Sequence, residues 1–140
     1  MRTLLFTAVL SLSVLGCSKE AKQEDKHVKL SETVAELTID ELSAKLATGD
    51  CQAVDANGEA TRKKLGVIPG AVLLTDSEAF STSELPKDKS KALVFYCANT
   101  HCSASEEAAA RALTAGYTNV KVLPEGIAGW VAAGKQTQKI

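Results

Sequence analysis

The sequence predicts an α/β fold: a three-layer domain with a mainly parallel central sheet flanked by helices. Short apolar runs alternate along the chain with segments of helical periodicity, the order from which parallel sheets are built. One of these runs, KALVFY (Lys91 to Tyr96), is unbroken and suits a strand covered on both faces. The length, 140 residues, fits one such domain, and aromatic residues make up only 4% of it, so the core must rest on Ala, Val, Leu and Ile.

The N-terminal segment MRTLLFTAVLSLSVLGC carries one basic residue, Arg2, then an apolar stretch, then small Gly16 before Cys17. It reads as a secretory signal and is too short to span a membrane. Its ending, Val14 to Cys17, resembles the lipobox of bacterial lipoproteins, in which cleavage falls before a cysteine whose thiol then carries a diacylglycerol. An ordinary cleaved signal with an incidental Cys17 is the alternative, although no A-x-A site is evident nearby. The expected organisation is a lipoprotein signal peptide over 1–16, lipidated Cys17 with a charged tether over 17–30, and the folded domain over 31–140. That places the protein in the bacterial cell envelope, lipid-anchored on the periplasmic face. Ser18 after the cysteine points to the outer membrane by analogy with lipoprotein sorting. His27 lies in the tether and reads as a surface residue.

The domain opens with LTIDELSAKLATGD. Thr38 and Glu41 form a capping box, Ile39, Leu42 and Leu46 share a helical face, and Gly49 suits the C-cap. CQAVD (Cys51 to Asp55) is a short strand, followed by a turn and a short helix in NGEATRKKLG. VIPGAVLL returns as a strand after its Pro-Gly turn. The polar stretch TDSEAFSTSELPKDKSK is loop-rich, with a helical turn around Glu84 and Leu85. KALVFY then ends at Cys97. SASEEAAARALTAG is the strongest helix, with a capping box expected from Ser103 and Glu106 and a stop at Gly116. NVKVL is the last strand, and PEGIAGWVAAG is a short helix carrying Trp130, which reads as core.

The chemistry collects in FYCANTHCSAS, Phe95 to Ser105. Cys97 ends a buried strand and precedes a helix, and ligands of such sheets gather beyond the carboxyl ends of the strands. Helix terminus and loop N–H groups both favour an anion there. The dipole supplies at most ~2 kcal/mol, so an ionised nucleophile also needs the loop amides. The small residues Ala98, Asn99 and Thr100 let the backbone turn inward around an anion. A plain core cysteine at a strand end is the competing reading. Cys102 has three readings: a thiol that resolves a persulfide or sulfenate on Cys97 as a disulfide, a partner of Cys97 and His101 on a soft metal, or a space-filling residue. For a closed zinc site the set lacks a fourth ligand, so no metal and no cofactor is assigned. Cys51 reads as a packed, inert thiol, and Asp55 as a cap of the following turn or as polar support for the loop. Net charge is −1, and no nucleic acid is expected as a partner.

From Thr38 to Gly134 the chain resembles a single rhodanese domain. The pieces are the TIDEL helix, Asp55 ending its strand, GVIPGA (Gly66 to Ala71), LVFYC before the loop, the alanine-rich helix, GYTNVKVL and EGIAGW (Glu125 to Trp130). The resemblance implies a sulfurtransferase in which Cys97 is the nucleophile, taking sulfane sulfur as a persulfide and passing it to a thiophilic acceptor. The loop Ala98, Asn99, Thr100, His101, Cys102 and Ser103 would cradle that persulfide. Many rhodaneses carry arginine where this chain has Ala98 and Cys102, histidine where it has Val67, and arginine where it has Asn57. Without those cations thiosulfate, a dianion, is disfavoured, and a persulfide, polysulfide or protein thiol is the expected partner. Phosphatases of this fold use C-x5-R, whereas here Ser103 stands at that position and the next arginine is Arg111. Two alternatives remain at this stage. One is a thiol-redox (Cys97/Cys102) or soft-metal binding module; the other is a catalytically silent rhodanese-fold binding domain.

Overall fold

The structure is a computed structural model that describes residues 34–140. The leader, Cys17 and the tether lie outside the described residues. Five parallel strands form one sheet, in the order β1-β5-β4-β2-β3. They are β1 Ala35–Glu36, β2 Cys51–Asp55, β3 Val72–Leu73, β4 Ala92–Tyr96 and β5 Val120–Leu123. The expected mainly parallel sheet is therefore wholly parallel among these strands. The helices are α1 Ile39–Thr48, α2 Glu59–Leu65, α3 Ala104–Thr114 and α4 Gly126–Ala132, with a 3-10 turn at Thr82–Glu84.

Alternation along β4 divides the core. Leu93, Phe95 and Cys97 face one side with Val54, Val122 and the α3 residues Ala108, Ala109 and Ala112. Val94 and Tyr96 face the other, with Leu42 of α1 and Ile127 and Trp130 of α4. Strand side chains alternate between faces, so an apolar run without interruption must be covered twice. Ser105, Ala108, Ala109 and Ala112 are the buried residues of α3. Their i, i+3, i+4, i+7 spacing makes a stripe of small side chains, which lets α3 lie close on the sheet.

Caps explain several boundaries. Thr38 Oγ1 accepts the Glu41 N–H, and Glu41 Oε2 accepts the Thr38 N–H at 2.9 Å, so the predicted capping box of α1 is present. Gly49 ends that helix at φ 75°. The box expected at Ser103 and Glu106 is absent. Ser103 has helical backbone angles, φ −89° and ψ −9°, and its hydroxyl donates to Glu107 Oε1 at 2.7 Å. Of VIPGAVLL only Val72–Leu73 is strand; Val67 instead bridges Gln138 near the C-terminus. Trp130 is buried, and its indole N–H donates to the Gln136 carbonyl at 2.8 Å.

The chain leaves β3 at one edge, re-enters at β4 on the far side of β2, and then runs outward through β5. The reversal falls between β2 and β4. Tyr96 pairs in register with Asp55, so the carboxyl ends of the two strands lie side by side at this switch point.

Candidate active site

Cys97 follows β4 directly at the switch point and is 2% exposed. Its Sγ lies 3.1 Å from the Cys102 carbonyl oxygen and 3.4 Å from Ser105 Oγ. The Cys97 and Cys102 sulfurs are joined as a disulfide, with Cα atoms 6.3 Å apart, inside the usual range for such a bridge. Cys102 is partly buried, whereas Asn99, Thr100 and His101 are exposed.

The segment between the cysteines is held by its own backbone. The Cys102 N–H donates to the Asn99 carbonyl at 3.1 Å, and the His101 N–H to the Asn99 side-chain oxygen at 3.0 Å. Asn99 thus closes the turn twice, as short polar side chains do in loops. Among the described residues, the N–H groups of Ala98, Asn99, Thr100 and Ser103 have no protein acceptor. They remain open to water or to an anion.

A second element fixes where the loop begins. The Ile127 N–H donates to the Cys97 carbonyl at 2.9 Å, and the Ala128 N–H to the Ala98 carbonyl at 3.0 Å. The first turn of α4 therefore clasps the backbone on which the thiol sits, using N–H groups a helix start would otherwise leave unpaired. Gly126 makes the clasp possible. Its φ is +59°, and a Cβ there would fall 2.5 Å from the Cys97 oxygen and 2.7 Å from the Ala98 carbonyl carbon.

Asp55 sits beside this site, fully buried. Its Oδ1 accepts the Asn57 N–H at 2.7 Å and Arg62 Nε at 3.1 Å. The other end of that guanidinium donates to the carbonyls of Asp55 and Leu74 at 3.0 and 2.9 Å. Asp55 thereby holds the turn into α2 and ties β2 to β3. Its side chain makes no hydrogen bond to the 98–103 loop among the described residues. Burial first, then the neighbouring Asp55 carboxylate, push the Tyr96 phenol well above its usual range. Tyr96 therefore stays neutral, with its oxygen accepting the Ile68 N–H at 3.0 Å.

The remaining thiol lies elsewhere. Cys51 is free and buried at the opposite end of β2, where burial pushes its thiol up. His101 is exposed on the loop, and no three Cys, His, Asp or Glu side chains among the described residues are placed to share a metal ion. Ser105 and Gly126 were absent from the sequence-based site. Ser105 lies on the small-residue stripe of α3, which marks it as buried but not as facing the thiol. Gly126 appears in the sequence only inside the EGIAGW resemblance.

A family profile described as Rhodanese-like domain matches residues 38–133. The chain belongs to the rhodanese-like domain family. No curated protein matches. Among solved structures, the rhodanese-like domain of an Anabaena protein is 25% identical with a TM-score of 0.62, and the match covers 75% of this chain and 79% of that one. A thiosulfate sulfurtransferase from Pseudomonas aeruginosa is 23% identical with a TM-score of 0.64, over 80% of this chain but 21% of that longer one. A protein from Rhodopseudomonas palustris described as a possible tyrosine phosphatase is 23% identical with a TM-score of 0.64, over 88% of this chain and all of that one. The last two likenesses concern the fold. In this rhodanese-like domain the nearest arginine after the loop, Arg111, donates to the Phe80 carbonyl at 3.1 Å and lies over the Phe80 ring, so its guanidinium is engaged away from the thiol.

Proposed function

We propose that this protein is an exported, membrane-tethered sulfurtransferase that carries sulfane sulfur on Cys97. The observation behind this reading is the placement of Cys97 Sγ at the switch point, beside the Ser105 hydroxyl and at the mouth of a loop with four uncommitted amides. In the reduced protein the Cys97 thiolate attacks a sulfane sulfur. The donor's S–S bond breaks, its remaining sulfur leaves as a thiolate, and the transferred sulfur stays bonded to Cys97. The terminal sulfur of that persulfide is anionic, and N–H groups aimed at it would hold it. A thiol acceptor then attacks the terminal sulfur, and Cys97 leaves as thiolate.

The loop from Ala98 to Ser103 carries no lysine or arginine, which favours a persulfide or polysulfide donor over thiosulfate. The active-site set is therefore Cys97 with Ala98, Asn99, Thr100, His101, Cys102 and Ser103 around it. Attachment to the membrane rests on lipidation of Cys17; no helix of the described residues is long and apolar enough to cross a membrane.

The test begins with the full chain reduced and freed of reductant. Brief exposure to inorganic polysulfide should add sulfur to the protein, read by intact mass, and Cys97→Ser should lose the addition. No added sulfur, or addition unchanged in Cys97→Ser, ends the reading. For the anchor, mass spectrometry of the membrane-extracted protein should find a diacylglycerol thioether on an N-terminal Cys17; an unmodified Cys17 removes the tether.

A further inference from the structure

The loop holds a second sulfur in bonding position with the first, and a carrier that only accepts and passes on sulfur has no use for it. We infer that Cys102 discharges the Cys97 persulfide as hydrosulfide, which makes the domain a sulfane-sulfur reductase coupled to a dithiol. The inference rests on the persulfide reading given above and names the fate of the sulfur at that same site.

Two geometric facts carry it. The two cysteine sulfurs are joined in the structure, and the Cα atoms at 97 and 102 are 6.3 Å apart, a separation a disulfide spans. Their exposures also differ: Cys97 is 2% exposed, and Cys102 is only partly buried on a rim of exposed residues. A thiolate on Cys102 is thus poised against the inner sulfur of a Cys97 persulfide. It attacks Cys97 Sγ, the bond from Sγ to the sulfane sulfur breaks, and that sulfur leaves as hydrosulfide with the bonding electron pair. That sulfur is already anionic, so the proton lost by Cys102 goes to it as it leaves. Sulfane sulfur is reduced by two electrons, and the two thiols are oxidised to the disulfide.

The same asymmetry sets the direction of recovery. A reducing dithiol approaches from solvent and reaches the sulfur of Cys102 first. Its attack there forms a mixed disulfide and expels Cys97 as thiolate, the form that accepts the next sulfur. The second thiol of the reductant then frees Cys102, and the reductant leaves as its own disulfide. The reaction takes a small persulfide and a dithiol, and yields a thiol, hydrosulfide and an oxidised dithiol.

The experiment uses the full chain, reduced, freed of reductant and held without oxygen, with one equivalent of glutathione persulfide. Intact mass and trapped hydrosulfide are followed together. Wild type should release one equivalent of hydrosulfide above the Cys97→Ser background and end two hydrogens lighter, as the disulfide. Cys102→Ser and Cys102→Ala should keep the added sulfur on Cys97 and release hydrosulfide at least tenfold more slowly; a far-UV circular dichroism spectrum matching wild type shows that these variants fold. Dithiothreitol should then restore wild type for a second round. A wild-type persulfide as long-lived as that of Cys102→Ser overturns the inference while leaving sulfur transfer intact. Disulfide formation at the same rate without the persulfide also overturns it. Absence of the adduct from every variant overturns the sulfurtransferase reading itself.

Discussion

Cys51 and Cys97 invite a direct comparison. Both are buried cysteines carried by adjacent parallel strands, Cys51 in β2 and Cys97 directly after β4. Cys51 opens β2, whereas Cys97 follows the end of β4, so they lie at opposite ends of the sheet, on the order of 15 Å apart at ~3.3 Å per residue. Cys51 packs among the apolar side chains of the α1 and α4 face, and burial there outweighs the pull of Lys45 and Lys91. Cys97 meets a hydroxyl, a second sulfur and a loop of open amides. Burial is common to the two; the polar groups beyond the strand end separate them. A thiol's chemistry is set by what surrounds it once it is out of water.

The largest effect should come from exchanging sulfur for oxygen at each end. Cys97→Ser should abolish persulfide formation, while Cys51→Ser should keep it within about twofold and lose about 1–3 kcal/mol of stability, as a hydroxyl replaces a buried thiol without a partner. Intact mass and denaturant midpoints read the two. Equal loss of sulfur uptake in both variants would break the contrast.

Next comes the clasp from α4. Gly126→Ala puts a methyl group against the Cys97 and Ala98 backbone at a positive φ, and should cost about 1–3 kcal/mol while slowing sulfur uptake by tenfold or more. A variant that loses stability but keeps the wild-type uptake rate would show that the clasp serves folding alone.

A smaller change is expected from Ser105→Ala. Its hydroxyl stands 3.4 Å from Cys97 Sγ, within hydrogen-bond reach of the sulfur. Alkylation of reduced Cys97 near neutral pH should slow a few-fold, and stability should change by less than about 1 kcal/mol. An unchanged rate would leave Ser105 as packing.

The smallest effect should appear beside β3, away from both thiols. Glu84 accepts the Thr75 N–H at 2.8 Å and the Ser81 N–H at 2.9 Å. These bonds, that of Thr75 foremost, hold its carboxyl below the usual carboxylate range. The folded value lies below the unfolded one, so the stability it contributes is complete above about pH 4.3 and fades as pH falls through the folded value. Denaturant midpoints across the acid range should therefore fall less steeply with pH in Glu84→Gln, with sulfur uptake unchanged.

The legible parts of this molecule were those specified locally. The capping box at Thr38, the stop at Gly49 and the unbroken run of β4 each depend on a few neighbouring residues, and all three are present. Ser103 carried the same local signal as Thr38, but the loop delivers it in a helical conformation from which its hydroxyl reaches Glu107 instead. Strand β1 has two residues and exists through its pairing with β5, far along the chain, which no local pattern announces. Cys97 could be singled out because a strand end, a turn and a helix start are consecutive in sequence. Ser105 and Gly126 could not, because α3 and α4 reach the thiol only once the sheet has assembled.

The clasp has a consequence for how the loop can be altered. Its donors and its acceptors are backbone groups: the N–H of Ile127 and Ala128, the carbonyls of Cys97 and Ala98. Arg62 likewise ties the strand ends through the carbonyls of Asp55 and Leu74. Every residue type carries a carbonyl, so the side chain at 98 can change without loss of the clasp, whereas the thiol at 102 is held to its role by the bond it makes with Cys97. The backbone clasp is thus a template for engineering, in which an arginine introduced at Ala98 would retune the donor preference toward anions while the thiol pair stays in place.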